Sequence, residues 1–161
     1  TSSSGAVNKQ QTKIVWSQYN KIEKRIKSNG SFGLQKTIQQ KINGRWVVLP
    51  ENATLHVGDT LDITVGISTP TAFEKISIEE NIMGGSVLLL PQNSKAKKYT
   101  SYFTQEIAVN KLVKQQIQYH YILTSPGVFS TGNTFVRIKT NASKQSPIKL
   151  FIPATEIRVE E

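Results

Sequence analysis

The sequence predicts a mainly β protein, an antiparallel β-sandwich preceded by a short N-terminal helix or linker. Three observations carry this reading. Apolar side chains alternate with polar ones along Leu61, Ile63, Val65 and Ile67, and again along Ile117, Tyr119, Tyr121 and Leu123. That period of two marks strands with one buried face. Such segments are short and divided by turn residues, among them Asn43-Gly44, Gly58-Asp59, Gly84-Gly85 and Ser125-Pro126-Gly127, a spacing typical of sandwiches. The crossover helices that a parallel sheet needs have no candidates in the sequence.

Residues 1–11 form a polar lead-in. Over residues 13–27 the apolar side chains fall at Val15, Tyr19, Ile22 and Ile26, spacings that predict one face of an α-helix. Asn29-Gly30 follows as a C-terminal stop, and Lys24, Arg25 and Lys27 lie where the helix dipole favours cations. Residues 1–30 are therefore read as a basic helix or linker, and residues 31–161 as the sandwich. Residues 36–42 and 45–49 flank Asn43-Gly44, the two-residue hairpin signal. Strands are then expected at residues 61–67, 75–79 and 87–90, the last as a short buried strand closed by Pro91. A polar, basic loop spans residues 92–98. Further strands are expected at 102–109, 114–123, 134–139, 148–152 and 156–159, with Pro147 and Pro153 as breaks.

The net charge of +9 is unevenly placed. Residues 1–50 hold nine Lys/Arg against Glu23 alone, whereas residues 51–161 hold eleven basic and ten acidic residues. Lys13, Lys21, Lys24 and Lys27 are the candidate binding residues: on a helix they make a solvated cationic face for an acidic protein surface or a neighbouring domain. The aromatics of this third, Trp16, Tyr19, Phe32 and Trp46, are sparse and fit no RNA-binding signature, so nucleic acid is not an expected partner.

The sequence holds no cysteine, which excludes disulfides, zinc–thiolate sites and a cysteine nucleophile. No apolar run approaches the ~20 residues of a membrane helix. His56 and His120 are read as exposed structural histidines, without the further ligands a metal site requires. Glu79-Glu80 and Glu160-Glu161 are adjacent pairs that point to opposite faces of a strand, so they are read as solvated edges rather than an acid–base couple. Asp59 and Asp62 flank a turn and are expected to bond local backbone. No Gly-x-Ser-x-Gly elbow or phosphate loop occurs. Asn29, Asn52 and Asn141 open Asn-x-Ser/Thr sequons of the kind a Ser-, Thr- and Asn-rich chain contains by chance. No catalytic residue, metal or cofactor is expected.

Several stretches resemble the C-terminal macroglobulin domain of bacterial α2-macroglobulin-family proteins. Leu55-His56-Val57-Gly58-Asp59-Thr60-Leu61-Asp62-Ile63-Thr64-Val65 is similar to the family's Val-Gly-Asp strand, and Glu74 to Glu80 to the strand after it, with Gly84-Gly85 near the usual small residues. Gln118-Tyr119-His120-Tyr121 through Gly127-Val128-Phe129-Ser130-Thr131-Gly132 resembles its hairpin, and Ser4-Gly5-Ala6-Val7 the segment leaving the thioester domain. The resemblance implies a structural sandwich in an extracytoplasmic, protease-trapping protein, packed against neighbouring domains. Phe135-Val136-Arg137-Ile138 stands where the family has a thioester-shielding Met-Tyr pair, so that role is not carried over. The rival reading is an independent adhesin-like or cell-envelope module.

Overall fold

Alternation of apolar and polar side chains sorts the chain into sheets that pack as a sandwich. The computed structural model describes residues 13–16, 23–28, 32–68, 73–109, 115–138 and 148–161. In chain order the strands are β1 (Lys13–Trp16), β2 (Glu23–Ser28), β3 (Phe32–Ile42), β4 (Arg45–Val48), β5 (Leu55–His56), β6 (Thr60–Ser68), β7 (Phe73–Asn81) and β8 (Ser86–Leu89). They continue as β9 (Lys97–Lys98), β10 (Tyr102–Val109), β11 (Gln115–Leu123), β12 (Gly127–Ser130), β13 (Thr134–Ile138), β14 (Ile148–Ile152) and β15 (Glu156–Glu160).

One sheet has seven strands, ordered β1-β2-β3-β6-β11-β8, with β4 also paired to β3. A second has five, ordered β14-β13-β7-β10-β9, and a third has three, ordered β12-β15-β5. Every pairing among these strands is antiparallel except β15 with β5. The core forms where the first two sheets face each other. Leu34, Ile38, Leu61, Ile63, Val65, Ile117, Tyr119, Tyr121 and Leu123 contribute from the seven-stranded sheet, and Ile76, Ile78, Phe103, Val136, Ile138 and Ile152 from the five-stranded one. Phe103 meets Tyr119 edge-on across this interface, with ring centroids 4.9 Å apart. Such T-shaped pairs are favoured by the ring quadrupole.

The β3–β4 hairpin turns at Asn43 and Gly44, both with positive φ (49° and 78°), as the mirror-image turns of two-residue hairpins require. Two other expectations are corrected. The helix expected over residues 13–27 is replaced, where described, by β1 and β2, with Lys13 opposite Lys27 and Trp16 opposite Lys24. β2 in turn pairs with β3 from Glu23↔Thr37 to Ser28↔Phe32. An isolated helix of this length is marginal in water, while the open side of β3 offers β2 a backbone hydrogen-bonding ladder. Residues 17–22 lie outside the described residues.

The second correction concerns the short strand before Pro91, which is not a buried strand but the terminal strand of its sheet. Only Leu88 is buried, while Val87 and Leu89 are 48% and 41% exposed. A strand covered on one face alone shows alternation rather than a continuous apolar run.

Candidate functional site

Two carboxylates that the sequence places at solvated or turn positions are buried, each inside a set of polar partners. The first, Glu80, sits on β7. The inward positions of that strand are Ile76, Ile78 and Glu80, so the carboxylate enters the sandwich at the end of an apolar row. On β3 the inward row is Leu34, Lys36 and Ile38, which points a lysine into the core from the opposite sheet. Lys36 Nζ donates to Glu80 Oε1. Its other protons are directed at the main-chain carbonyls of Gly132 (3.1 Å) and Thr131 (3.4 Å).

Thr134 stands directly opposite Glu80 in the β7–β13 register and its hydroxyl donates to Oε2. Lys36 is 3% exposed; Glu80 and Thr134 are fully covered. Burial raises the Glu80 carboxyl above the ordinary range, against the opposing pull of the Lys36 charge and of the donors around it. An acid–amine pair in such surroundings is held in register by geometry, since an unpaired charge here would be severely destabilised.

Gly132 positions this set. Its φ is +87°, and a Cβ at this residue would lie 2.1 Å from the Asn81 carbonyl oxygen, so only glycine lets the loop present its carbonyl to Lys36. Thr131 fixes the same loop by accepting the Thr155 N–H at 2.9 Å. Tyr119 completes the surroundings. Its hydroxyl is fully buried, and burial first, then the Glu80 charge, push the phenol well above its usual pKa. The two groups feel each other electrostatically, yet no hydrogen bond of ordinary geometry reaches the Tyr119 oxygen among the described residues. Tyr121 differs in this respect: its oxygen accepts the Met83 N–H at 3.3 Å.

The second carboxylate, Asp62, is on the outward side of β6. Instead of bonding turn backbone, its Oδ1 accepts from Gln118 Nε2 (2.7 Å) and lies 3.0 Å from His120 Nε2. The Thr64 hydroxyl approaches Oδ2 at 3.4 Å. The β6–β11 register sets His120 directly opposite Asp62, and Trp46 stacks on the imidazole with centroids 5.4 Å apart. His120 is thus outward, as expected, but tied to a carboxylate. Asp59 does bond local backbone, accepting the His56 N–H at 2.9 Å and also the Gln40 amide at 2.8 Å.

The four lysines singled out from the sequence are distributed differently. Lys13 lies in β1, Lys24 and Lys27 in β2, and Lys21 falls outside the described residues. Lys24 is the register partner of Lys36, whereas Lys27 pairs with Gly33 and Lys13.

Adjacency alone makes Glu79-Glu80 a solvated edge, whereas the structure buries Glu80. The signal that finds it is parity with Ile76 and Ile78, and the same parity test finds Lys36 between Leu34 and Ile38. Asp62 carries no such signal, since its position is outward and its partners Gln118 and His120 lie on the paired strand β11. No family model matches the chain, and no curated protein matches it either.

Proposed function

We propose that this chain is a non-enzymatic structural and binding module of a larger extracytoplasmic protein of the protease-trapping, α2-macroglobulin-like kind. Its role in this reading is to pack on neighbouring domains and to respond when cleavage elsewhere rearranges them. The observation that supports it best is the exposed apolar surface of the seven-stranded sheet. Trp46, Val87 and Leu89 are 36%, 48% and 41% exposed, and the latter two lie on the terminal strand β8. Apolar side chains at an open strand edge are what a neighbouring domain covers. The titratable groups at the buried sites serve each other: Lys36 holds Glu80, and Asp62 holds His120. The likeness in the Val-Gly-Asp strand and in the Ser125-Pro126-Gly127 hairpin points the same way. Lys13, Lys21, Lys24 and Lys27 supply positive charge toward an acidic partner surface, an attraction weakened by salt.

Hydrogen exchange in the native parent protein tests this reading, before and after cleavage by a broad-specificity endoprotease. The expected result is slow exchange at residues 45–48 and 86–89 in the intact protein and faster exchange once it is cleaved. Rapid exchange there at both stages would overturn domain packing and favour a freestanding, adhesin-like module.

A further inference from the structure

The set formed by Lys36, Glu80 and Thr134 has the composition of a self-condensing acid and amine. We propose that Lys36 and Glu80 become joined by an intramolecular amide, a covalent tie between the two sheets, formed by the folded chain itself with release of one water. The geometry supplies what that reaction needs. The amine and the carboxyl are brought together from different sheets in a covered interior, where the high effective concentration of fixed neighbours replaces a bimolecular encounter. Water, the product whose removal drives condensation, is excluded from the pair.

The steps balance within the residues present. The proton on the Lys36–Glu80 hydrogen bond passes from Nζ to Oε1, turning ammonium and carboxylate into amine and carboxylic acid. This exchange is favoured in a dry interior, which penalises charge and already raises the Glu80 carboxyl. The amine lone pair attacks Cδ, forming the N–C bond while the carbonyl electrons move onto Oε2. The Thr134 hydroxyl donates to that oxygen and stabilises the negative charge developing there, as an oxyanion hole does. The Gly132 and Thr131 carbonyls hold the remaining N–H bonds and so orient the amine. One of its protons then transfers to the Oε1 hydroxyl, the Cδ–Oε1 bond breaks, and water leaves as the carbonyl re-forms. The buried Tyr119 hydroxyl lies close enough to feel the charge of the same carboxyl. No oxidant, metal or second reactant is required.

Intact-mass measurement on the purified, unaltered protein tests the proposal without relying on a variant to fold. The expected mass is that of the sequence less one water. Tryptic digestion should leave Lys36 uncleaved and yield a branched peptide joining the segments around Lys36 and Glu80. Lys36→Arg, which keeps the positive charge but does not form this amide, should restore the full mass. A full sequence mass in the native protein after prolonged incubation would overturn the proposal. So would a lost water that maps to other residues or persists in K36R.

Discussion

Glu80 and Asp62 are equally hidden from solvent, yet they are hidden by different means. Glu80 faces the sandwich interior and meets a full positive charge, a hydroxyl and the apolar rows of both sheets. Asp62 faces outward and meets an amide, a hydroxyl and an imidazole on strands β6 and β11, with Trp46 stacked on the last. The inner site binds two sheets together, whereas the outer one binds neighbouring strands of a single sheet. Lack of exposure alone therefore says little about what a buried carboxylate does. The partners and the elements that carry them decide it.

The sharpest way to break this comparison is to remove one partner from the inner site. In the chain whose Lys36 and Glu80 are not yet joined, Lys36→Met leaves Glu80 without its cation and should destabilise the protein by about 3–5 kcal/mol. Replacing both residues, as K36M with E80L, should recover most of the loss, because the interior is then apolar throughout. Chemical denaturation of the single and double variants measures the difference. If the double variant is as unstable as the single one, the cost lies in packing rather than in the orphaned charge.

Ile63 lies next to Asp62 but on the opposite, inward side of β6. Ile63→Ala, like Ile117→Ala on the paired strand, should cost about 2–5 kcal/mol through lost burial and the cavity left behind. Asp62→Ala should cost less, about 1–3 kcal/mol, since it removes a hydrogen-bond acceptor from partners that lie near water. Equal losses for I63A and D62A would mean that the outer cluster matters to stability as much as the core.

Alkaline pH separates the two regions another way. Tyr119 and Tyr121 lie in the interior, and burial raises both phenols above their ordinary value. Their folded pKa exceeds the unfolded value near 10, so the stability linked to the neutral phenols is complete below about pH 10. It is lost as pH rises towards the folded values, at about 1.4 kcal/mol per pH unit for each phenol. Denaturation midpoints measured from neutral to strongly alkaline pH should fall only at the alkaline end. Tyr119→Phe should flatten that fall. The smallest effect belongs to the exposed Lys75–Glu106 pair, 2.7 Å apart and about half exposed on both sides. Lys75→Ala should change stability by no more than about 1 kcal/mol, a bound checked in the same denaturation series.

Some of this architecture was legible in the order of residues. The strands at Leu61 to Ile67 and Ile117 to Leu123, the inward rows they present and the Asn43-Gly44 hairpin follow from period-two alternation and from positive-φ tolerance, both local properties. The helical spacing of Val15, Tyr19, Ile22 and Ile26 was equally local, but β3 offers a ladder to β2, and tertiary hydrogen bonding overrides so short a periodic run.

Parity alone assigns Lys36 and Glu80 to inward positions. That the two meet was decided by how the seven-stranded sheet stacks on the five-stranded one, which brings together residues 44 apart in the chain. The bond from Gln118 to Asp62 likewise spans 56 residues and exists only because β11 pairs with β6 in one register. Local sequence determines which side of a strand a residue occupies, because successive side chains must alternate. What stands opposite it depends on strand register and sheet packing, which burial and backbone hydrogen bonding set over the whole chain at once.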